Sequence, residues 1–161
     1  MTWQVSQSAM DAVLQLLQSA DATYYKLILV VGKPETGKTA VLQSVAEKLN
    51  TSVINTSLEL SARLLELTSR QRALRLPEIF TDAVTSENKA AILDNLEIIF
   101  DRNLQQDPLR LLQGISRNRQ VIAAWSGALE DGKLIYAEPD HAEYRRYSVN
   151  DFFVVDMNTG L

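Results

Sequence analysis

A run of six residues, KLILVV at positions 26–31, restricts the possible folds more than any other part of the sequence. Its uninterrupted apolar character is typical of a parallel strand that helices cover on both faces, because a strand with one face in water alternates apolar and polar residues. The run stops at Gly32, a helical pattern follows from Lys38 to Leu49, and residues 52–55 fit a short second strand. These segments predict one strand–helix–strand unit of a parallel sheet.

The rest of the chain continues the alternation of helices and strands. Residues 1–22 are predicted to hold an N-terminal helix that leads into the core, with its clearest apolar periodicity over 7–19. Two helices are predicted over 58–74 and 77–84, the second beginning at Pro77, because proline is tolerated in a first turn. The further predicted elements are a strand at 89–93, a helix at 108–115 capped by Asp107, a strand at 120–125, alternating segments at 134–137 and 144–147, and a last strand at 152–157. We therefore expect a single α/β domain over residues 1–161, with a mostly parallel five-stranded sheet flanked by helices.

Composition and charge exclude several classes of function. The chain carries a net charge of −4, so DNA contact is expected only indirectly or through a local patch. It has no cysteine, which excludes disulfides, thiolate metal sites and thiol nucleophiles. The longest apolar stretch, LILVV, is too short to cross a bilayer. We expect a cytoplasmic protein without membrane association.

The segment GKPETGKT, from Gly32 to Thr39, matches G-x-x-x-x-G-K-[ST] at every fixed position and lies between a predicted strand and a predicted helix. In this motif, the P-loop or Walker A motif, backbone N–H groups and the N-terminus of the helix surround the phosphates of a nucleotide. Lys38 is predicted to contact the β- and γ-phosphates, and the Thr39 hydroxyl to bind Mg²⁺. The sequence has no NKxD-type guanine signature, which favours ATP. The predicted nucleotide-binding residues are Gly32, Lys33, Pro34, Glu35, Thr36, Gly37, Lys38, Thr39, Ala40 and Ser126.

Asp94 follows four apolar residues, AAIL at 90–93, as expected for the acidic residue of a Walker B strand, which holds Mg²⁺ through its water shell. ATPases of the additional-strand class often place a glutamate directly after this aspartate to polarise the attacking water, but the residue here is Asn95. The nearest carboxylate is that of Glu97, the predicted general base; a solvated surface glutamate is an equally open interpretation. Hydrolysis therefore depends on whether Glu97 takes this role.

Contacts with the terminal phosphate are predicted for a polar side chain and for arginines. Ser126 follows VIAAW, at the end of a strand expected to lie between the two Walker strands, although Ser126–Gly127 is also compatible with a simple turn. An arginine, often from a neighbouring subunit, usually stabilises charge on the transferred phosphoryl group. Arg117 and Arg119 are favoured over Arg102, Arg110, Arg145 and Arg146, with a solvated surface role as the alternative for each. The predicted catalytic residues are Lys38, Asp94, Glu97, Arg117 and Arg119.

The order of four segments resembles the BrxF family, the small P-loop proteins of BREX phage-defence systems. These segments are LILVVGKPETGKT, SLELSARLLELTSRQRALRLPEIF, AAILDNLEIIF and DPLRLLQGISRNRQVIAAWSG, and the likeness spans residues 25–157. The resemblance implies a P-loop NTPase sandwich like the AAA+ core but without a helical lid domain. It also implies a bacterial antiviral complex with a DNA methyltransferase and larger subunits, in which assembly supplies contacts that a lid would otherwise make.

Three functions are compatible with the sequence. The favoured one is a nucleotide-dependent assembly factor and weak ATPase, acting as a homo-oligomer or with other subunits of a defence complex. A small-molecule kinase is the second, because a short P-loop domain has the right size, although an Arg-rich lid insertion is not evident. A non-hydrolysing scaffold is the third, and the intact Lys38, Thr39 and Asp94 argue against it.

Overall fold

The computed structural model describes residues 2–84, 90–138 and 140–158, without the side chains of residues 2–7. Its elements in chain order are α1 (Thr2–Ala20), β1 (Leu27–Gly32), α2 (Lys38–Lys48), β2 (Val53–Asn55), α3 (Thr56–Leu64), α4 (Ser69–Val84), β3 (Ala91–Asp94), α5 (Pro108–Ser116), β4 (Val121–Glu130), β5 (Lys133–Tyr136), β6 (Arg145–Ser148) and β7 (Phe153–Asp156). Two 3₁₀ helices that the sequence did not indicate, Glu97–Phe100 and Arg102–Leu104, lie between β3 and α5. The start of the predicted third strand, at Lys89, lies outside the described residues. Among the helices of these described residues, none has the length and hydropathy of a membrane-spanning segment.

Five strands form a parallel sheet in the order β2–β3–β4–β1–β7. Strand β1 is central: it pairs with β4 from Leu27↔Val121 to Gly32↔Ser126 and with β7 from Ile28↔Phe153 onward. Every residue of β1 is buried, as its continuous apolar run predicts. The predicted α/β fold with a mostly parallel sheet between helices is confirmed, but the described sheet has seven strands in place of the predicted five, because β5 and β6 extend it beyond β4.

Helices cover both faces of the sheet, and the side chains of β1 alternate between two hydrophobic cores. Ile28 and Val30 belong to the core that α1 and α2 complete. Leu27, Leu29 and Val31 belong to the larger core, to which α3, α4 and α5 contribute. This alternation is the two-residue period of a strand, with apolar residues on both faces.

Beyond the five parallel strands, the outer half of β4 (Gly127–Glu130) pairs with β5, and β5 pairs with β6, both antiparallel. We call these three segments the antiparallel branch. Because β4 continues past Trp125, its predicted end there and the alternative of a turn at Ser126–Gly127 are wrong. A Cβ at Gly127 would lie 1.9 Å from the carbonyl oxygen of Ile135, which accepts a hydrogen bond of 3.1 Å from the indole Nε1 of Trp125. Gly127 therefore permits the close approach of β5.

The boundary between α3 and α4 lies earlier than predicted. It falls at residues 65–68, where the Gln71 N–H donates to Thr68 Oγ1 (3.2 Å) and the Thr68 N–H donates to Gln71 Oε1 (2.9 Å). This reciprocal pair is a capping box, which satisfies two backbone donors at the start of a helix. Pro77, predicted to begin a helix, instead lies inside α4.

The helix α4 continues through Pro77 because a side chain from outside the helix replaces the missing bond. Proline has no N–H, so the carbonyl of Ala73, four residues earlier, has no helical donor. The side-chain amide of Gln106 donates to this carbonyl at 2.9 Å. The backbone carbonyl of Gln106 in turn accepts a hydrogen bond of 3.0 Å from Arg145 in β6. Gln106 thus joins α4 to the antiparallel branch.

Gln106→Ala should lower the free energy of unfolding by about 1–2 kcal/mol, because the Ala73 carbonyl loses its donor. Urea denaturation followed by circular dichroism measures this change. In a Pro77→Ala background the new N–H of residue 77 can bond to the Ala73 carbonyl, so Gln106→Ala should cost less there. Equal costs in the two backgrounds would contradict the compensating role of Gln106.

Candidate phosphate-binding site

The P-loop joins β1 to α2 at the carboxyl edge of the parallel sheet. A Cβ at Gly32 would lie 2.3 Å from Thr36 Oγ1 and 3.0 Å from Met157 Cβ, so this position has no room for a larger residue. Gly37, which precedes α2, has φ of 93°, a left-handed conformation that favours glycine. Close packing therefore requires glycine at position 32, and backbone conformation favours glycine at position 37.

Lys38 is the first residue of α2, and its ammonium group lies within the loop. Its Nζ donates to the carbonyl oxygens of Gly32 (2.7 Å) and Lys33 (2.9 Å). Burial lowers the pKa of Lys38 from its ordinary value of 10.5, and the negative charges of Asp94 and Glu97 oppose this shift. The side chain is therefore held by two main-chain oxygens with two carboxylates in electrostatic range.

The two Walker motifs meet directly. Thr39 Oγ1 donates a hydrogen bond of 2.7 Å to Asp94 Oδ2, as expected for residues that share one metal ion. Asp94 is the last residue of β3, and its other oxygen accepts a bond of 2.9 Å from the N–H of Asn95. Each oxygen of the Asp94 carboxylate therefore accepts one hydrogen bond, and these two bonds fix its orientation. The structure brings together the two residues that the sequence predicted as Mg²⁺ ligands.

Glu97 is exposed at the start of the first 3₁₀ helix. Its charge acts on the pKa of Lys38 and also on that of Tyr136, which burial and then Glu97 and Glu143 raise to about 12. Phe100, in the same 3₁₀ helix, stacks on Tyr136 with ring centres 3.5 Å apart. This aromatic contact fixes the helix that carries Glu97 against the antiparallel branch.

The turn between Asp94 and Glu97 is held by Ser57, a residue that the sequence did not indicate. Asn95 has a left-handed backbone with φ of 56°, and its carbonyl accepts bonds from Ser57 N (3.0 Å) and Ser57 Oγ (2.6 Å). A serine in the first turn of α3 thus anchors the segment after the Walker B strand. A lone serine between two predicted elements carries no signal for this role.

Ser126 lies beside Gly32 in the β1–β4 register, next to the start of the P-loop. It is half-buried and borders a cavity of about 360 Å³ between the loop residues Lys33 and Pro34 and the antiparallel branch. The carboxylates of Glu130 and Glu138 also line this cavity. Ser126 is therefore adjacent to the loop as predicted, although it lies within a strand.

Arg117 and Arg119 lie at the opposite edge of the sheet. They precede Val121, which pairs with Leu27 at the start of β1, whereas the P-loop follows the end of β1. The Arg117 guanidinium lies 4.9 Å from the ring centre of Tyr24. The five residue steps from Leu27 to Gly32 separate the two edges by roughly 17 Å. Neither arginine is placed to reach the P-loop of its own chain.

Replacing the loop glycine should be costly, and a second glycine provides a matched control. Gly32→Ala should lower the free energy of unfolding by about 1–3 kcal/mol, because the new methyl group overlaps Thr36 Oγ1. Gly114→Ala in α5 meets no atom within 4 Å and should instead raise stability by roughly 0.5–1 kcal/mol. Guanidinium unfolding of both variants tests this. A Gly32→Ala protein as stable as the parent would contradict the crowding described here.

Comparison with known families agrees with this geometry. The family model described as "ATPase family associated with various cellular activities (AAA)" matches residues 28–124, which include all of β1 except Leu27, the P-loop, Asp94 and the first part of β4. The comparison with curated proteins gives no matching relative. The family match covers more than half of the 161 residues and includes both Walker motifs. The chain therefore belongs to the AAA family of ATPases and is a P-loop nucleotide-binding protein.

Proposed function

We propose that the chain binds ATP with Mg²⁺, hydrolyses it weakly, and uses the bound nucleotide to assemble with further copies of itself or with larger subunits. The observation that carries the nucleotide part is the Thr39–Asp94 hydrogen bond of 2.7 Å, which joins the two Walker motifs. Its setting is a bacterial phage-defence complex of the BREX type in the cytoplasm. That setting is supported by the resemblance to the BrxF family.

The residues of the P-loop fit a nucleoside triphosphate. The first turn of α2 provides backbone N–H groups without helical acceptors, and these point toward the loop. The Lys38 ammonium has three donors, of which two contact Gly32 and Lys33. Phosphate oxygens are stronger acceptors than these neutral carbonyls, so Lys38 can exchange one partner for a phosphate without leaving the loop.

The residues also fit Mg²⁺. The Thr39 hydroxyl donates its proton to Asp94 and keeps oxygen lone pairs free for coordination. Within the described ranges no group of three or more histidine, aspartate or glutamate side chains could hold a metal. A magnesium ion is typically held by one or two protein oxygens together with phosphates and waters, which agrees with a site of this kind. When bound, the ion would neutralise charge on the phosphates.

Weak hydrolysis is the activity that the carboxylates support. Asn95 occupies the position of the usual glutamate and cannot take a proton from water. Glu97 is the general base in this proposal, because its charge reaches Lys38 and its helix is fixed by the Phe100–Tyr136 stack. Glu97 is exposed, and an exposed carboxylate is less well positioned than one held in a closed site, so turnover should be slow.

In this proposal, assembly brings an arginine of one copy to the nucleotide of another. Arg117 and Arg119 lie at the far edge of the sheet from their own P-loop. As arginine fingers they can act only on the nucleotide of a second copy, which supports a homo-oligomer in head-to-tail arrangement. In this proposal DNA is contacted indirectly, through partner subunits or a local basic patch.

A small-molecule kinase is the second candidate, and the cavity beside Lys33, Pro34 and Ser126 favours it. Its volume of about 360 Å³ is within the range of small-ligand pockets. The carboxylates of Glu130 and Glu138 would suit a cationic or hydroxylated acceptor. A kinase of this kind would transfer phosphate to the acceptor without changing its own state of assembly.

Lys38→Ala should weaken binding of MgATP by about 100-fold, the equivalent of roughly 3 kcal/mol for charge-assisted bonds to phosphate. Titration calorimetry measures the affinity, and sedimentation of the same samples with a non-hydrolysable analogue measures assembly. The parent and the matched control Lys48→Ala should assemble with the analogue, and Lys38→Ala should not. Unchanged affinity in Lys38→Ala would remove the P-loop as the binding site. Tight binding without assembly would favour the kinase. If the parent does not bind MgATP at all, the remaining interpretation is a scaffold that does not hydrolyse ATP.

Glu97→Gln should reduce ATP turnover at least about tenfold while changing the Kd for MgATP by less than about twofold, because the amide cannot accept the proton of the attacking water. Single-turnover hydrolysis and equilibrium binding separate the two effects. Glu66→Gln, at an exposed glutamate in the α3–α4 connection, is the control and should change neither. If Glu97→Gln turns over ATP as the parent does, Glu97 is a solvated surface residue.

A further inference from the structure

Asn158, two residues after β7, contacts the P-loop from outside. Its Oδ1 accepts a hydrogen bond of 2.9 Å from the backbone N–H of Lys33. We propose that Asn158 is a positioning residue, which holds the Gly32–Lys33 peptide in the orientation that binds Lys38. The functional part of this inference rests on the ATP binding proposed above.

A single peptide unit links Asn158 to Lys38. In a trans peptide the C=O and the following N–H point in opposite directions within one plane. The Gly32 carbonyl of this unit accepts the bond of 2.7 Å from Lys38 Nζ, and the Lys33 N–H of the same unit donates to Asn158. Rotation of the peptide would break both bonds together. Asn158 therefore acts on Lys38 without contacting it.

Asn158 is itself well anchored. Its Nδ2 donates to the Gly127 carbonyl at 3.0 Å, and its backbone N–H donates to Asp156 Oδ1 at 2.9 Å. The preceding residue, Met157, donates its N–H to the Val31 carbonyl at 2.7 Å. Exchanging the side-chain oxygen and nitrogen would set a donor against the Lys33 N–H and an acceptor against a carbonyl, so one orientation of the amide is favoured. The side chain thus connects β4 and β7 to Lys33 of the P-loop.

This arrangement has a consequence for affinity. When the Gly32–Lys33 peptide is held, the Gly32 carbonyl keeps Lys38 Nζ inside the loop, in reach of phosphates. Without the contact to Asn158, the peptide samples rotated states in which Lys38 loses this acceptor. A smaller fraction of molecules is then ready to bind, and the apparent affinity falls by that fraction.

Asn158→Ala in the full chain tests the proposal with two readouts. The Lys33 amide should exchange its hydrogen faster, and the Kd for MgATP should increase about fivefold, the equivalent of one neutral hydrogen bond. Asn150→Ala, at an exposed asparagine before β7, is the matched control and should change neither of them. Unaltered hydrogen exchange of the Lys33 amide in Asn158→Ala would overturn the proposal.

Asn158→Asp separates the acceptor from the rest of the side chain. Aspartate keeps an oxygen for the Lys33 N–H but places its second oxygen against the Gly127 carbonyl, so the Lys33 amide should be protected less than in the parent and more than in Asn158→Ala. Loss of protection equal to that in Asn158→Ala would also overturn the proposal. The exchange readout needs no nucleotide. It therefore decides whether Asn158 holds the Gly32–Lys33 peptide even if the parent protein fails to bind MgATP, an outcome that would refute the proposed function instead.

Discussion

Pairing of β1 with a strand on each side is the interaction on which the rest of the structure depends. β4 and β7 fix both edges of β1, and the chain leaves the sheet at Gly32 with Ser126 beside it. Every part of the candidate site is placed relative to this exit point. The loop follows it, Ser126 adjoins it, and Asn158 reaches it from β7. Because β1 is buried over its whole length, the loop starts from a rigid support.

The sequence predicted those parts of the protein whose causes are local. The run LILVV, the spacing of Gly32, Gly37 and Lys38, and the apolar residues before Asp94 each act within a few positions, so periodicity and motif suffice. The length of β4, the continuation of α4 through Pro77 and the role of Asn158 were not predictable in this way. Gln106 lies 33 residues from Ala73, and Asn158 lies 125 residues from Lys33. Contacts of this kind leave no periodic pattern in a single sequence.

Pro77 illustrates why a correct rule led to a wrong boundary. Proline does interrupt helical hydrogen bonding, and the first turn is the place where this costs least. The rule assumes that the carbonyl left without a partner meets only water or other backbone. Here the amide of Gln106 is in place, so the interruption is repaired by tertiary structure. The Ser126–Gly127 pair was interpreted as a possible turn for a related reason. The glycine instead accommodates the neighbouring strand β5, a contact that the sequence alone does not show.

The predicted phosphate-binding residues and the favoured arginines are separated in space. Lys38 and Thr39 lie in contact or electrostatic range of Asp94, and the charge of Glu97 also reaches Lys38. Arg117, in contrast, lies at the far edge of the sheet. The proposed assembly would bring such an arginine to the site from another surface.

The pairing of β7 with β1 also bears on how the protein is made. Residues 28–31 meet their partners at 153–156, so this side of β1 closes a loop that includes most of the described chain. Contacts between residues so far apart in sequence form late, because the entropy of the long intervening segment must be lost first. On a ribosome β1 and the P-loop motif are synthesised before β7. The contacts that β7 and Asn158 make with β1 and the P-loop therefore form only after the motif itself has left the exit tunnel.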